Sequence, residues 1–275
     1  MTQESVDQVD FVSGATRLYG IVGDPITQVR SPEMVTWALQ RRGLDAVLLP
    51  VHVREADFDD VVPQLMRVAN LDGLIFTIPF KGRAAGLAAT LGGQARVVGA
   101  INALARGGDG GWHGEMFDGL GCVEALRRAG VPLEGCRAML VGLGGAGMAI
   151  GAALAAERPR SLRVFDLDPA RCERMVGIVR RVSPGTEVVV GPPVVHDVDL
   201  LLNATPIGML GDPRLPVDAS RLPASLVVFD AIVKPELTPL LALAEACGCR
   251  TVRGRDMMRG QIARIVDFFA ATVQR

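Results

Sequence analysis

RAMLVGLGGAGMAIGAALAAERPRSLRVFDLD, Arg137 to Asp168, reads as a strand, a glycine-rich turn, a helix and a second strand. Gly142, Gly144 and Gly147 supply G-x-G-x-x-G, and Asp166 closes the second strand 24 residues after Gly142. A lone glycine pattern is weak. Between a strand and a helix, with an acid at that spacing, it is a dinucleotide-binding signature. The glycines let the backbone approach a pyrophosphate, and the helix N-terminus offers unpaired N–H groups and positive potential. The Asp166 carboxylate suits the two hydroxyls of an adenosine ribose and repels a 2′-phosphate, which predicts NAD rather than NADP. The competing reading is a packing turn followed by an ordinary loop aspartate.

Outward from this segment, apolar strand-like runs alternate with helical stretches, which predicts an α/β chain with parallel sheets. Toward the C-terminus, DLLLNATPIGM (Asp199–Met209) is a buried strand running into a polar turn. Ligands of open parallel sheets sit at the carboxyl ends of strands, which places Asn203, Thr205 and Gly208 near the nicotinamide half. The alternation lasts to about Arg253, and a final helix near Met257–Val273 has apolar residues at helical spacing. Toward the N-terminus come RLYGIV, a helix from Ser31, AVLLPVHV, a helix near Phe58–Val68 and GLIFTI. Ser31 suits an N-cap, Pro32 the first helical position and Gly43 the residue past the end. INALARGGDGGWHGEM predicts a hairpin turning at GGDGG. A helix near Gly119–Arg128 follows, closed by Gly130, and VPLEGC reads as a linker.

The 275 residues are 49% hydrophobic with a net charge of −1, which suits one large or two ordinary domains and no nucleic-acid partner. Apolar runs are broken before they reach membrane-spanning length, so no membrane association is expected. The opening MTQESVDQVD is polar and acidic, unlike a signal peptide. The five cysteines are scattered, and Cys247-x-Cys249 has no second pair, so neither a disulfide framework nor a metal site is expected. The expectation is a reduced, cytoplasmic, soluble protein. Gly23 stands four residues after Tyr19, the sole tyrosine, so no Y-x-x-x-K dyad exists.

DGLIFTIPFKGRAAG (Asp72–Gly86) then raises the question of Lys81. Pro79 ends a strand, and the stretch after Lys81 is helical, so the lysine meets the positive end of a helix at a cost of about 0.3–1 kcal/mol. An enzyme that oxidises an alcohol needs a group to exchange the hydroxyl proton. A lysine near a strand's carboxyl end, with Asp118 as its acidic partner, would serve. Read bare, Lys81 is a solvated surface residue and Asp118 an N-cap.

LYGIVGDPITQVRSPEM, TIPFK, VGAIN, DGLG, VGLGGAG, LLNATPIGM and GRDMMRGQ occur in this order and resemble the shikimate and quinate dehydrogenases from about Tyr19 to Gln261. The resemblance implies two domains: an N-terminal α/β substrate domain (1–118, completed by helix 254–275) and a Rossmann-type NAD-binding domain (119–253), with the active site in the cleft between them. It implies Lys81 and Asp118 as the catalytic pair, with Ser31, Thr77, Asn102 and Gln261 binding substrate. It implies cofactor contacts at Gly142, Gly144, Gly145, Ala146, Gly147, Asp166, Asn203, Thr205, Pro206, Gly208, Met209 and Gly254. The partners expected are a small-molecule substrate and, at most, a second copy in a homodimer. The substrate is shikimate, quinate or a related acid such as an aminoshikimate. A non-catalytic NAD-binding sensor of the same fold is the alternative, against which the intact Lys81–Asp118 pair argues.

Departures from the family pattern concern the grip on a substrate carboxylate. The usual H-S-x-S-P is Gln28-Val29-Arg30-Ser31-Pro32, N-V-T is Ile75-Phe76-Thr77, and N-T-D is Met116-Phe117-Asp118. The tyrosine of D-x-x-Y-x-P is Val233, and the NADP signature N-R-T is Asp166-Leu167-Asp168. Valine at 29 and 233 removes two polar groups that serve the carboxylate, and Arg30 reads as a surface residue.

Overall fold

The computed structural model describes residues 12–27 and 29–273; the expectations for the first ten residues and for Gln28 lie outside them. The described chain forms β1 (Arg17–Gly23), α1 (Ser31–Gln40), β2 (Ala46–His52), α2 (Phe58–Leu65), β3 (Leu71–Phe76), α3 (Lys81–Ala84), β4 (Thr90–Leu91), α4 (Gly93–Val98), β5 (Ala103–Arg106), β6 (Trp112–Glu115) and α5 (Asp118–Arg128). It continues as β7 (Arg137–Val141), α6 (Gly145–Ala156), β8 (Ser161–Phe165), α7 (Pro169–Val182), β9 (Glu187–Val190), β10 (Leu200–Asn203), β11 (Val227–Asp230), α8 (Pro239–Ala246), β12 (Arg250–Arg253) and α9 (Gly254–Val273). Two compact units result. One holds the described residues up to Thr90, Asn102–Gly114 and the chain from Ile262; the other holds Leu91–Ile101 and Glu115–Gln261.

The first sheet has the order β2-β1-β3-β5-β6-β4. β1 runs parallel to β2 and β3, and β5 antiparallel to β3. Every residue of β3 is buried, as a central strand requires. Phe269 of α9 packs on Tyr19, the two rings tilted by 33° with centroids 4.6 Å apart. A Cβ at Gly73 would lie 2.7 Å from Phe269, so that glycine makes room for the ring. Burial raises the Tyr19 phenol pKa far above its ordinary value. The expected hairpin forms between β5 and β6, tied by Gly107 N–H to Gly111 O at 2.7 Å, with Gly110 at φ +79°.

The second sheet is wholly parallel, in the order β12-β11-β10-β7-β8-β9. That is the doubly wound order 3-2-1-4-5-6 read from the β9 edge, with its topological switch between β7 and β10. One face packs Met139, Val141, Leu201, Val228, Leu241 and Ala244 together. Helix α6 is built of small residues and packs tightly on both sides. A Cβ at Gly119 of α5 would stand 2.0 Å from Ala149 O, and one at Gly151 would stand 2.5 Å from Met175. Among the described residues, no helix is long and apolar enough to cross a membrane, and no three His, Cys, Asp or Glu side chains gather as a metal site.

Two cap positions differ from the sequence reading. Ser31 is the first helical residue of α1, and the cap is Arg30, which makes no side-chain capping bond. Likewise α5 begins at Asp118, after an uncapped Phe117. Asp118 makes a bond of longer range instead.

Candidate functional site

In the second unit the glycine-rich turn joins β7 to α6 at the carboxyl end of the sheet. Gly142 takes φ +90°, open only to glycine without strain, and a Cβ there would press on Thr205 N at 2.8 Å. At Gly147 a Cβ would stand 1.9 Å from Gly142 O. Backbone conformation and packing therefore dictate Gly142, and packing dictates Gly147. Gly144 is different. It caps α6 with φ −67°, and a Cβ there would meet nothing within 4 Å. Neither strain nor packing in the chain explains this glycine. It keeps the space before the helix N-terminus clear, as an approaching pyrophosphate requires. Gly145 and Ala146 form the first turn of α6.

Asp166 lies just beyond β8 and reaches back to this turn. Its Oδ2 accepts from Leu143 N–H at 2.6 Å and its Oδ1 from Asp168 N–H at 2.9 Å. The side chain is 11% exposed, with Arg171 Nη1 3.8 Å away. Asp168 caps α7, accepting from Ala170 N–H at 3.0 Å. Asp166 is thus fixed beside the glycine-rich turn rather than solvated in a loop. These residues fit the adenosine side of a dinucleotide.

The loop after β10 holds Thr205, Pro206, Gly208 and Met209. Asn203, fully buried at the strand end, accepts at Oδ1 from Thr205 N–H (2.9 Å) and Thr205 Oγ1 (2.7 Å). Thr205 Oγ1 accepts from Ile207 N–H at 3.2 Å. Gly208 takes φ +95°, with Thr238 and Pro239 on its Cβ side. Gly254 opens α9, where a Cβ would stand 2.5 Å from the carbonyl oxygens of Ala231 and Ile232. Close packing thus accounts for Gly254.

Asp118 belongs to the same unit. Its carboxylate is 1% exposed, and Oδ1 accepts from Gln261 Nε2 at 2.9 Å. A Cβ at Gly121 would stand 2.6 Å from the Gln261 side chain, so a glycine on α5 makes room for the donor. The structure thus joins two residues that lie 143 apart in the chain.

The first unit holds Ser31, Thr77, Lys81 and Asn102. Thr77 follows β3; its N–H donates to Val22 O at 3.0 Å, and its methyl fills the space that a side chain at Gly23 would take. Lys81 is the first residue of α3, half-buried, one turn beyond the end of β3. Asn102 is 2% exposed and accepts at its carbonyl from Phe76 N–H at 2.9 Å. Arg30 is exposed and lies 3.7 Å from Glu33. Asp24 Oδ1 lies 2.9 Å from His52 Nε2, and this bond holds the carboxyl below its usual pKa.

Sequence reasoning missed Asp230 and Thr238. Asp230 is wholly buried at the end of β11, and burial raises its pKa above the ordinary carboxylate range. The one signal available was an acid closing an apolar strand, FDAIVKP, as Asp166 closes its own.

Comparison with known proteins gives consistent results. A family model described as the shikimate dehydrogenase substrate binding domain matches residues 21–104. A shikimate dehydrogenase (NADP(+)) of Geobacter sulfurreducens is 35% identical over 257 residues, covering 90% of this chain and 89% of that one. Among solved structures, shikimate 5-dehydrogenase of Listeria monocytogenes, in complex with shikimate and NAD, superposes with a TM-score of 0.83 at 28% identity, covering 98% of this chain and 95% of that one. The 5-ketofructose reductase of a Gluconobacter strain gives 0.80 at 27% identity, covering 93% of each.

Proposed function

This chain belongs to the shikimate dehydrogenase family, and from that premise we propose that it moves hydride reversibly between NAD and a ring hydroxyl of shikimate, quinate or a related cyclic polyol acid. It is a nicotinamide-dependent dehydrogenase acting on a CH–OH group. The bound nicotinamide supplies the hydride acceptor, and the protein's own residues do the rest. Lys81 takes the hydroxyl proton during oxidation and returns it during reduction, and Asp118 is its acidic partner. Gln261, which donates to Asp118, fixes that carboxylate's orientation. Ser31, Thr77 and Asn102 offer hydroxyl and amide groups to the substrate's hydroxyls.

The observation that carries the NAD preference is the Asp166 carboxylate, seated 2.6 Å from Leu143 N–H on the glycine-rich turn. A fixed negative charge there meets a 2′-phosphate with like charge. The curated relative is named for NADP(+) and the Listeria structure holds NAD, so the choice rests on this chain's own residue. Valine at 29 and 233 weakens the hold on a carboxylate, since each charge-assisted hydrogen bond lost is worth about 1.5–3 kcal/mol. Slow, high-KM oxidation of shikimate is the expectation.

A panel of shikimate, quinate, aminoshikimate and neutral polyols, assayed with NAD and NADP by absorbance, tests the reading. Neutral substrates belong in it because one solved relative is named for 5-ketofructose. The expected result is NAD-linked turnover of at least one cyclic polyol acid. No turnover with any member, despite nucleotide binding, would favour a sensor.

A further inference from the structure

Among the described residues, Asp230 is a fully buried carboxyl that the reaction itself leaves unused. It is 0% exposed, at the carboxyl end of β11, and among the described residues the groups that bond to it are neutral. Its Oδ1 accepts from Asn203 Nδ2 at 3.1 Å and from Ile232 N–H at 3.0 Å. Its Oδ2 accepts from Thr238 Oγ1 at 2.7 Å. Thr238, also fully buried, caps α8 by accepting from Leu241 N–H at 3.2 Å. Burying a carboxylate without a counter-charge is expensive, and an apolar residue would close the strand more cheaply. Something must offset that cost.

The hydrogen-bond directions say what. An amide side chain carries a donor end and an acceptor end, and a carboxylate can only accept. Asp230 therefore holds the Asn203 amide with its Nδ2 inward, where Nδ2 also donates to Ile207 O at a longer 3.5 Å. The Asn203 Oδ1 is then left to accept both the N–H and the hydroxyl of Thr205. With the amide reversed, Nδ2 would face Thr205 N–H, donor against donor. The chain of bonds continues through Thr205 Oγ1 to Ile207 N–H. Thr205 itself packs against the Cα of Gly142, the first glycine of the dinucleotide turn.

We propose that Asp230 is a positioning residue for the loop Ala204–Met209, setting through the Asn203 amide the shape in which that loop meets the nicotinamide half of the cofactor. This rests on the reading that the loop after β10 serves the nicotinamide end. The raised pKa of Asp230 agrees with a buried, uncompensated carboxyl. What the network requires of it is its acceptor geometry.

The test compares binding of NADH with binding of ADP-ribose, which lacks the nicotinamide, to the whole protein. Tm is recorded in parallel. Asp230→Ala is expected to weaken NADH by about tenfold, the scale of one buried hydrogen bond lost, and to leave ADP-ribose within about twofold. Asp230→Asn is expected to restore most of the NADH affinity. Its carboxamide oxygen can take the place of Oδ1, and its NH₂ can donate to Thr238 Oγ1. Thr205→Val, a half-exposed near-isostere, breaks the same chain should Asp230→Ala not fold, and is expected to show the same selective loss. Equal weakening of both ligands, or unchanged binding of both, would overturn the proposal. So would an Asn variant as poor as the Ala one, because charge would then matter rather than geometry. Wild type that binds ADP-ribose but gains nothing from the nicotinamide of NADH would overturn the underlying reading, and the proposal with it.

Discussion

Asp166 and Lys81 put the proposed chemistry on single side chains. A carboxylate has roughly four acceptor positions. At Asp166 the N–H groups of Leu143 and Asp168 occupy two of them, which leaves capacity for ribose hydroxyls. Asp166→Asn removes the charge at nearly the same volume, gives up one of the two backbone bonds because its NH₂ cannot accept, and frees Arg171, 3.8 Å away, to face a phosphate. Wild type is expected to use NAD at least about tenfold more efficiently than NADP, since one like-charge contact exceeds about 1.4 kcal/mol. The variant is expected to lose most of that preference. kcat/KM with each cofactor measures it, and equal use of both by wild type would contradict the assignment. Lys81→Ala is expected to lower kcat by about 10²–10⁴, the usual scale for an acid–base group. Its affinity for NADH should stay within about twofold, because the lysine is assigned to the substrate. Near-normal turnover in that variant would mean that another group handles the proton.

At the scale of the element, the glycine-rich turn separates what the fold needs from what a ligand needs. Gly147→Ala puts a methyl group 1.9 Å from a backbone oxygen and is expected to cost about 1–3 kcal/mol or more, with Tm lowered by several degrees. Gly144→Ala meets open space and should change stability by less than about 1 kcal/mol at this cap. Yet it should weaken NADH by tenfold or more, because its methyl takes the room left for the pyrophosphate. Thermal scans and titrations on the two variants read this contrast, and a Gly144→Ala protein with unchanged affinity would remove the reason for that glycine. The strand–turn–helix of β7–α6, the buried run of β10, the β5–β6 hairpin and Lys81 at the start of α3 were all legible in the sequence. Each is written in local period and turn chemistry. The caps were not, and neither were the long-range polar pairs. Ser31 and Asp118 look like N-caps because the residue types fit. Asp118 instead pairs with Gln261, and only tertiary packing around Gly121 reveals that. Asp230 shows in the sequence only as an acid closing an apolar strand, and its role stays hidden for the same reason: its partners Asn203 and Thr238 lie outside that strand.

Across the whole molecule, carboxyls whose pKa values shift in opposite directions shape the response to pH, and the second unit holds one of each. Asp199 accepts from the Arg137 backbone N–H at 2.9 Å and from its guanidinium at 3.0 and 2.6 Å, which ties the start of β10 to β7. Those bonds hold the Asp199 carboxyl below its usual range. A depressed folded-state pKa means that the stabilisation is fully present above the unfolded value of about 3.9 and is lost as pH falls through the folded value. Asp230 works the other way. Burial raises its pKa, so its contribution is fully present below the unfolded value and is lost as pH rises through the folded one. Two variants separate these terms. For Asp199→Asn, the Tm deficit against wild type is expected to be largest at neutral pH and to close as pH falls below about 4. For Asp230→Asn, which keeps the bonds of Oδ1 and sheds a buried charge, Tm relative to wild type should rise as pH climbs from about 4 toward neutral. Scanning calorimetry over a pH series measures both slopes. Parallel curves for the two variants would show that neither carboxyl titrates differently in the folded and unfolded chains.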